Sequence, residues 1–190
     1  SLKKLQTDYI DLLLVHQPFG DYYGTYRAME EAYKAGQVRA IGVSNFSPNR
    51  FIDLQYFVEI KPAINQIETH VFYQQKEAKK YLEKYNCQIE SWGPFAEGKN
   101  DFFNTPLLKE IGEKYGKSVA QVALRFLLQS NVVVIPKSVR KERMQENFDI
   151  FDFELTEDEM KSIEGLDQGS TLFHNHQEPE TAERFLSFLS

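Results

Sequence analysis

The chain is short of cysteine, of unbroken apolar runs and of positive charge, and each shortage removes a class of protein. One cysteine, Cys87, cannot form an internal disulfide, which argues against a stapled secreted scaffold, fits a reducing compartment and makes the expected location cytoplasmic. No segment reaches the roughly 18 apolar residues of a membrane span. The stretch from Ser1 to Ile10 lacks the apolar core of a signal peptide, so no membrane partner is expected. Ser rather than Met stands first, consistent with a fragment. A formal net charge of -6 argues against nucleic acid as a partner, because a polyanion is held by clustered positive charge. One local exception, KSVRKER from Lys137 to Arg143, suits a small anionic group rather than a duplex. The sequence also lacks linkers and low-complexity tracts. With 190 residues, 42% of them hydrophobic, it is expected to form one domain over 1–190 with a tail from 168 to 190.

What it does contain is a period. Five apolar runs, Ile10 to His16, Ala40 to Asn45, Ala63 to Glu68, Gln88 to Trp92 and Val132 to Ser138, end near His16, Ser44, Gln66, Trp92 and Lys137. Most of these endpoints are spaced close to one βα unit of roughly 30 residues. Helical patterns separate the runs, so the strands cannot pair as hairpins and must lie parallel under a layer of helices. The expected fold is α/β, of the (β/α)8 TIM-barrel kind, with the polar strand ends gathered on the face where such barrels carry active sites. A full barrel needs eight strands and about 250 residues. This chain is therefore expected to cover an incomplete barrel, about strands 4 to 8.

Helix signals fill the gaps. Leu2 and Leu5 suggest the end of a helix, and the run DLLLV is apolar on both faces, as a strand inside a barrel would be. Thr25 to Ala35 repeats Tyr26, Met29 and Tyr33 at helical spacing before Gly36; Ser47 and Pro48 open a helix with Phe51, Leu54 and Val58 as its buried stripe. Lys76 to Tyr85 is amphipathic, and Thr105 with Pro106 starts a helix that Gly116 stops. Ser118 with Gln121 and Thr156 with Glu159 spell capping boxes. Gly93 to Asn104 is expected to be a long functional loop. Periodicity fades after Gln168 until a short helix from Thr181, whose Phe185 and Phe188 would pack on the barrel or overhang its mouth. The pair His174 and His176 has no matching carboxylate or cysteine, so it is expected to be exposed and no metal is expected.

The strand ends carry the candidate chemistry. His16 could donate a hydrogen bond to a carbonyl oxygen, or simply bond to nearby backbone. Ser44, Asn45 and Gln66 offer groups for a carboxamide, although such residues often just satisfy loop backbone. Trp92 presents a flat face for an aromatic ring; its plainer role is packing. Lys137, Ser138 and Arg143 together suit a phosphate, and Glu146 and Asn147 on the same helix could reach an adenine edge, where the alternative is a solvated charged face.

The strings DLLLVHQP, GQVRAIGVSNFSP, AINQIETH and VVVIPKSVRKERMQENFDIFDFELTEDEM closely resemble the aldo-keto reductases, in particular bacterial members similar to diketogluconate reductases. The resemblance covers nearly the whole chain. It implies NADPH-dependent reduction of a small-molecule aldehyde or ketone, without a Rossmann fold. It also implies that His16 orients the substrate carbonyl and that Ser44, Asn45 and Gln66 hold the nicotinamide carboxamide. Trp92 stands where most members stack a tyrosine, and Gly93 stands where a serine is common. Phe95 and Ala120 match cofactor-lining positions, Lys137, Ser138 and Arg143 the 2′-phosphate site, and Glu146 and Asn147 the adenine contacts. The family's aspartate, general-acid tyrosine and lysine would precede Ser1, so of four catalytic groups only His16 is present and the 190-residue chain alone is expected to be inactive. The alternative is a truncated, non-catalytic homologue that binds a nucleotide or a partner. The complete enzyme is compatible with a monomer.

Overall fold

Strands that each hand over to a helix can join only in parallel, because no tight turn separates them. The computed structural model describes residues 2–189; Ser1 and Ser190, the ends of the expected domain, lie outside the described residues. Its strands are β1 (Ile10–Val15), β2 (Val38–Ser44), β3 (Ile64–Glu68), β4 (Gln88–Trp92) and β5 (Val132–Val134), and their order in the sheet follows the chain. β1 pairs parallel with β2, Val15 facing Val43, and β2 pairs parallel with β3, Ser44 facing Gln66. The helices are α1 (Leu2–Leu5), α2 (Tyr22–Lys34), α3 (Pro48–Phe57), α4 (Lys76–Lys84), α5 (Pro106–Tyr115), α6 (Val119–Gln129), α7 (Lys141–Phe148), α8 (Glu157–Glu164) and α9 (Pro179–Leu186). Among the described residues, no helix is long and apolar enough to cross a membrane.

The chain divides into two compact units, one of Ser1–Ile67, Lys76–Ile89 and His174–Ser190, the other of Glu68–Gln75 and Glu90–Phe173. In the first, β2 is the buried strand, with Ile41 and Val43 in the core. Gly42 sits between them because a Cβ there would come within 2.5 Å of the Ile64 carbonyl oxygen and 2.8 Å of a Leu14 methyl. β1 departs from the expected doubly buried strand, since Asp11 is exposed and Leu12 to Leu14 are half-buried. α2 begins at Tyr22 rather than near Thr25, because the Asp21 carboxylate accepts the Gly24 amide at 2.8 Å and caps it. Tyr26 and Met29 are buried as the spacing requires, whereas Tyr33 is 40% exposed. Buried Glu30 accepts the amides of Glu59 and Ile60, both at 2.8 Å, and fixes the turn into β3. In the tail, α9 starts before Thr181 because Pro179 supplies its first turn. Its Phe185 lies 5.5 Å from the His176 ring and 5.9 Å from Phe19. His174 and His176 are thus half-buried rather than exposed, whereas Phe188 is exposed instead of packed.

In the second unit α6 forms the core, with Val122, Ala123, Leu124, Phe126 and Leu127 buried. Both halves of its capping box form: the Ser118 hydroxyl accepts the Gln121 amide, and the Gln121 side chain accepts the Ser118 amide. The run from Val132 to Ser138 is not one strand. It leaves the ladder after Val134, since Pro136 has no N–H to donate. Gly93 to Asn104 is a kinked loop whose backbone is non-helical from Glu97 to Asp101, yet it is anchored by Phe102, which is fully buried. Glu159 completes the second capping box, accepting the Thr156 amide at 2.8 Å, and it also takes Lys114 at 2.6 Å and the Tyr115 hydroxyl at 2.7 Å. This one carboxylate joins α5 to α8.

Burial alone would raise the Glu159 pKa, but Lys114 and the Thr156 amide outweigh it and hold the carboxyl at about 2 instead of 4.5. A depressed carboxyl stabilises the fold fully above its unfolded value and loses that contribution as pH falls through its folded value. Thermal melts of the wild type and of Glu159→Gln should therefore differ most above about pH 4.5 and converge toward pH 2. A gap that stays constant with pH contradicts this assignment.

Candidate functional site

In the first unit, the end of β2 is tied to the end of β3. The Ser44 hydroxyl, buried to 1%, donates to the Gln66 carbonyl at 2.8 Å, and the Asn45 amide donates to the same oxygen at 3.0 Å. Asn45 adopts a left-handed conformation, φ 61°, which asparagine tolerates better than most residues. Its Nδ2 lies 3.2 Å from Ser44 Oγ and donates to the His16 carbonyl at 3.3 Å. Arg50 donates to the Pro18 carbonyl, so the turn after β1 is held from two sides. His16 itself follows β1 with its side chain exposed. The Ser44 proton is committed to main chain, as the plainer expectation had it, but its oxygen keeps a lone pair that an amide N–H of a ligand could use. Gln66 is half-buried beside it.

In the second unit, Phe95, Ala120, Lys137, Ser138, Arg143, Glu146 and Asn147 line one cleft of about 500 Å³, together with Glu97, Gly98, Phe103, Ser118 and Val119. Three elements create it. Arg143, Glu146 and Asn147 share a face of α7 at i, i+3 and i+4. Lys137 and Ser138 precede that helix, and the Ser138 hydroxyl accepts the Arg140 amide at 3.1 Å, which turns the chain into it. Val119 and Ala120 open α6, where first-turn amides lack intrahelical partners and the helix dipole is positive. Among the described residues, no carboxylate pairs with Lys137 or Arg143. The cleft thus combines two cations outside any ion pair, a hydroxyl and a helix N-terminus, a setting for an anion on that part of a lining that also carries Glu97 and Glu146. A larger open hollow of about 760 Å³, lined by Met144, Gln145, Phe148, Asp149, Phe151 and Asp152, holds no cation and lacks these features.

Trp92 ends β4 half-buried, with Phe173 edge-on to it at 5.2 Å and 67°. Gly93 follows at φ 65°, where a side chain is strained although a Cβ would find ordinary contact, 3.9 Å from Phe173. A side chain at position 93 would therefore meet a backbone cost rather than a steric one.

Two polar residues without an individual role in the sequence reading are buried here. Glu68, 4% exposed, lies 3.0 Å from His70 Nε2, accepts the Leu172 amide at 2.9 Å and takes the Thr171 hydroxyl. His70 is fully buried. The available signal was a glutamate closing an apolar strand with a histidine two residues on; its partners lie too far along the chain for spacing to reveal.

The model of the aldo/keto reductase family matches residues 1–168, and the chain belongs to that family. It is 45% identical over 179 residues to a glyoxal reductase of Bacillus subtilis, covering 94% of this chain and 64% of that protein. It is 42% identical over 175 residues to a methylglyoxal reductase of Escherichia coli, covering 90% and 64%. Among solved structures, an aldo-keto reductase from a Medee basin deep-sea metagenome library has a TM-score of 0.89 at 39% identity, covering 93% of this chain and 66% of that one. A Bombyx mori aldo-keto reductase in complex with NADP has a TM-score of 0.84 at 33% identity, covering 91% and 62%. The fold is thus the parallel α/β fold of this family, and the chain spans 64% of the length of both curated relatives.

Replacing Gly93 by Ser would restore a hydroxyl at the cost of a left-handed non-glycine residue, about 1–2 kcal/mol. The Gly93→Ser protein should melt several degrees lower; an unchanged midpoint would remove the backbone explanation.

Proposed function

We propose that the chain carries the cofactor-binding part, about strands 4 to 8, of an NADPH-dependent reductase of aldehydes and ketones. The observation that supports this most is the cleft in which Lys137, Ser138 and Arg143 face the first turn of α6. A 2′-phosphate needs cations that are not already neutralised, and these two are not. Glu146 and Asn147, on the same wall, supply an acceptor and an amide for an adenine edge. NADPH supplies the hydride when bound. The protein's own groups do the rest: Trp92 offers its ring face to the nicotinamide, Ser44, Asn45 and Gln66 bind the carboxamide, and Phe95 and Ala120 line the cofactor. His16 donates a hydrogen bond to the carbonyl oxygen, favouring charge build-up there. The proton for that oxygen comes, by family resemblance, from a tyrosine paired with lysine and aspartate on strands that precede this segment in relatives. The glyoxal and methylglyoxal reductases among its relatives point to small dicarbonyl compounds as substrates.

Arg143→Ala tests the cofactor assignment by fluorescence titration. Loss of a charge-assisted bond of about 1.5–3 kcal/mol should weaken NADPH roughly ten- to a hundredfold and leave NADH nearly unchanged; equal losses for both would refute it. The 190-residue chain alone should bind NADPH without oxidising it in the presence of methylglyoxal. Steady consumption of NADPH would show that the proton donor lies within these residues.

A further inference from the structure

The loop after β4 and the segment before the tail are fastened to each other at two points. Asn100 Nδ2 donates to Gln168 Oε1 at 3.2 Å, and Lys99 Nζ donates to the Leu172 carbonyl at 2.6 Å. The same ammonium lies 3.9 Å from the centroid of the Phe173 ring, in cation–π contact. On the other side of this segment, buried Glu68 binds the Leu172 amide and the Thr171 hydroxyl. The carboxylate therefore holds the two residues before Phe173, whose own amide donates to the Thr171 hydroxyl oxygen at 3.0 Å, while a cation holds its ring, which meets Trp92 edge to face.

The loop that delivers Lys99 is an unusual piece of backbone. Ala96, Glu97, Asn100 and Asp101 all have positive φ, as does Gly98. Non-glycine residues persist there only where surrounding contacts over-determine them, and the Lys99 and Asn100 attachments are such contacts. Glu97 and Gly98 of this loop also line the cationic cleft. One strained loop therefore borders the cleft with one pair of residues and holds the Trp92 neighbour with the next.

We propose that Lys99 and Phe173 form a clasp that sets the orientation of Trp92: Lys99 holds the segment shut, and Phe173 is the positioning residue that fixes the indole plane. The role assigned to that plane rests on Trp92 facing the nicotinamide, but the clasp is testable without nucleotide. Trp92 is the one tryptophan of the chain, so its emission and its near-ultraviolet dichroism report this site alone.

The experiment measures amide hydrogen exchange and Trp92 spectra on the 190-residue chain free of nucleotide. Lys99→Met removes an exposed cation–π contact and a charged hydrogen bond, and should lower protection of the Leu172 and Phe173 amides roughly three- to tenfold. Protection across α6 should not change, and the Trp92 dichroism band should weaken. Lys99→Arg keeps both a cation and a donor and should restore both signals. Phe173→Leu, which retains an apolar body, should weaken the Trp92 band while leaving α6 protected. Unchanged protection at Leu172 in Lys99→Met overturns the clasp, and so does lost protection with an unaltered Trp92 band. Should Lys99→Met unfold the chain, failure of Lys99→Arg to reproduce the wild-type band is the overturning result. NADPH titration of the wild type is a separate measurement, and a failure to bind there would refute the cofactor assignment while leaving the clasp result intact.

Discussion

A carboxylate taken out of water must find donors for its oxygens, and Glu68 at the end of β3 finds one 104 residues further along the chain, in the amide of Leu172. That constraint places a stretch of the second unit that has no apolar periodicity of its own. Glu68 is 4% exposed, and its neighbour His70 is sealed completely, so neither can exchange a protein partner for solvent. The segment 171–173 has to lie against the strand end for the carboxylate to be satisfied. Once it does, Phe173 is brought beside Trp92, where Lys99 holds its ring. A buried carboxylate at one strand end thus decides what lies beside the indole at another.

The basic side chains of the second unit divide by what they touch. Lys114 is paired with Glu159, Lys117 with Asp149 and Asp152, and Arg125 with Glu154, each joining helices or the loops between them. Lys99 is turned toward a carbonyl and a ring. Lys137 and Arg143 have no such attachment among the described residues, yet they share a wall of one cleft. Two cations on one lining without an ion-pair partner favour an anion that reaches both, while Glu97 and Glu146 on the same lining oppose one elsewhere in the cleft. This separates the cleft from the apolar hollow bordered by Met144 and Phe148, which is larger but has no charge preference for a phosphate.

Local features of the fold were legible in the sequence where the physics is local. Both capping boxes form, since Ser118 and Thr156 need only a glutamine or glutamate three residues on. The alternation of strands and helices, and the gathering of Lys137, Ser138, Arg143, Glu146 and Asn147, follow from spacing along a few turns of chain. What could not be read depended on distant partners or on one residue's missing group. β5 is cut short by Pro136, a hydrogen-bond effect that apolar runs do not register. His176 is half-buried because Phe19 and Phe185, more than 150 residues apart in sequence, both pack against it and against each other. Glu68 was read merely as the end of an apolar run, because its donors at Thr171 and Leu172 belong to a stretch with no periodicity at all.

The strand ends solve a problem that any parallel sheet poses at a binding face. The last residues must close the sheet's own hydrogen bonds and still leave polar groups for a ligand. At β2 the Ser44 hydroxyl donates its proton to the Gln66 carbonyl, accepts from Asn45 Nδ2 and keeps one lone pair in hand. Immediately afterwards Asn45 turns left-handed, and its side chain reaches back to the His16 carbonyl, so the reversal also anchors the neighbouring strand. β4 ends with the same backbone device, Trp92 followed by left-handed Gly93, but with no side chain at the turn. The consequence differs accordingly. Asn45 ties its corner with its own side chain, whereas the corner at Gly93 is closed by main chain, the Ala96 amide donating to the Gly93 carbonyl at 2.8 Å, with Phe173 against the preceding Trp92. The ring that meets the indole is instead supplied by the tail segment, so contacts 70 and more residues distant bear on that end of β4.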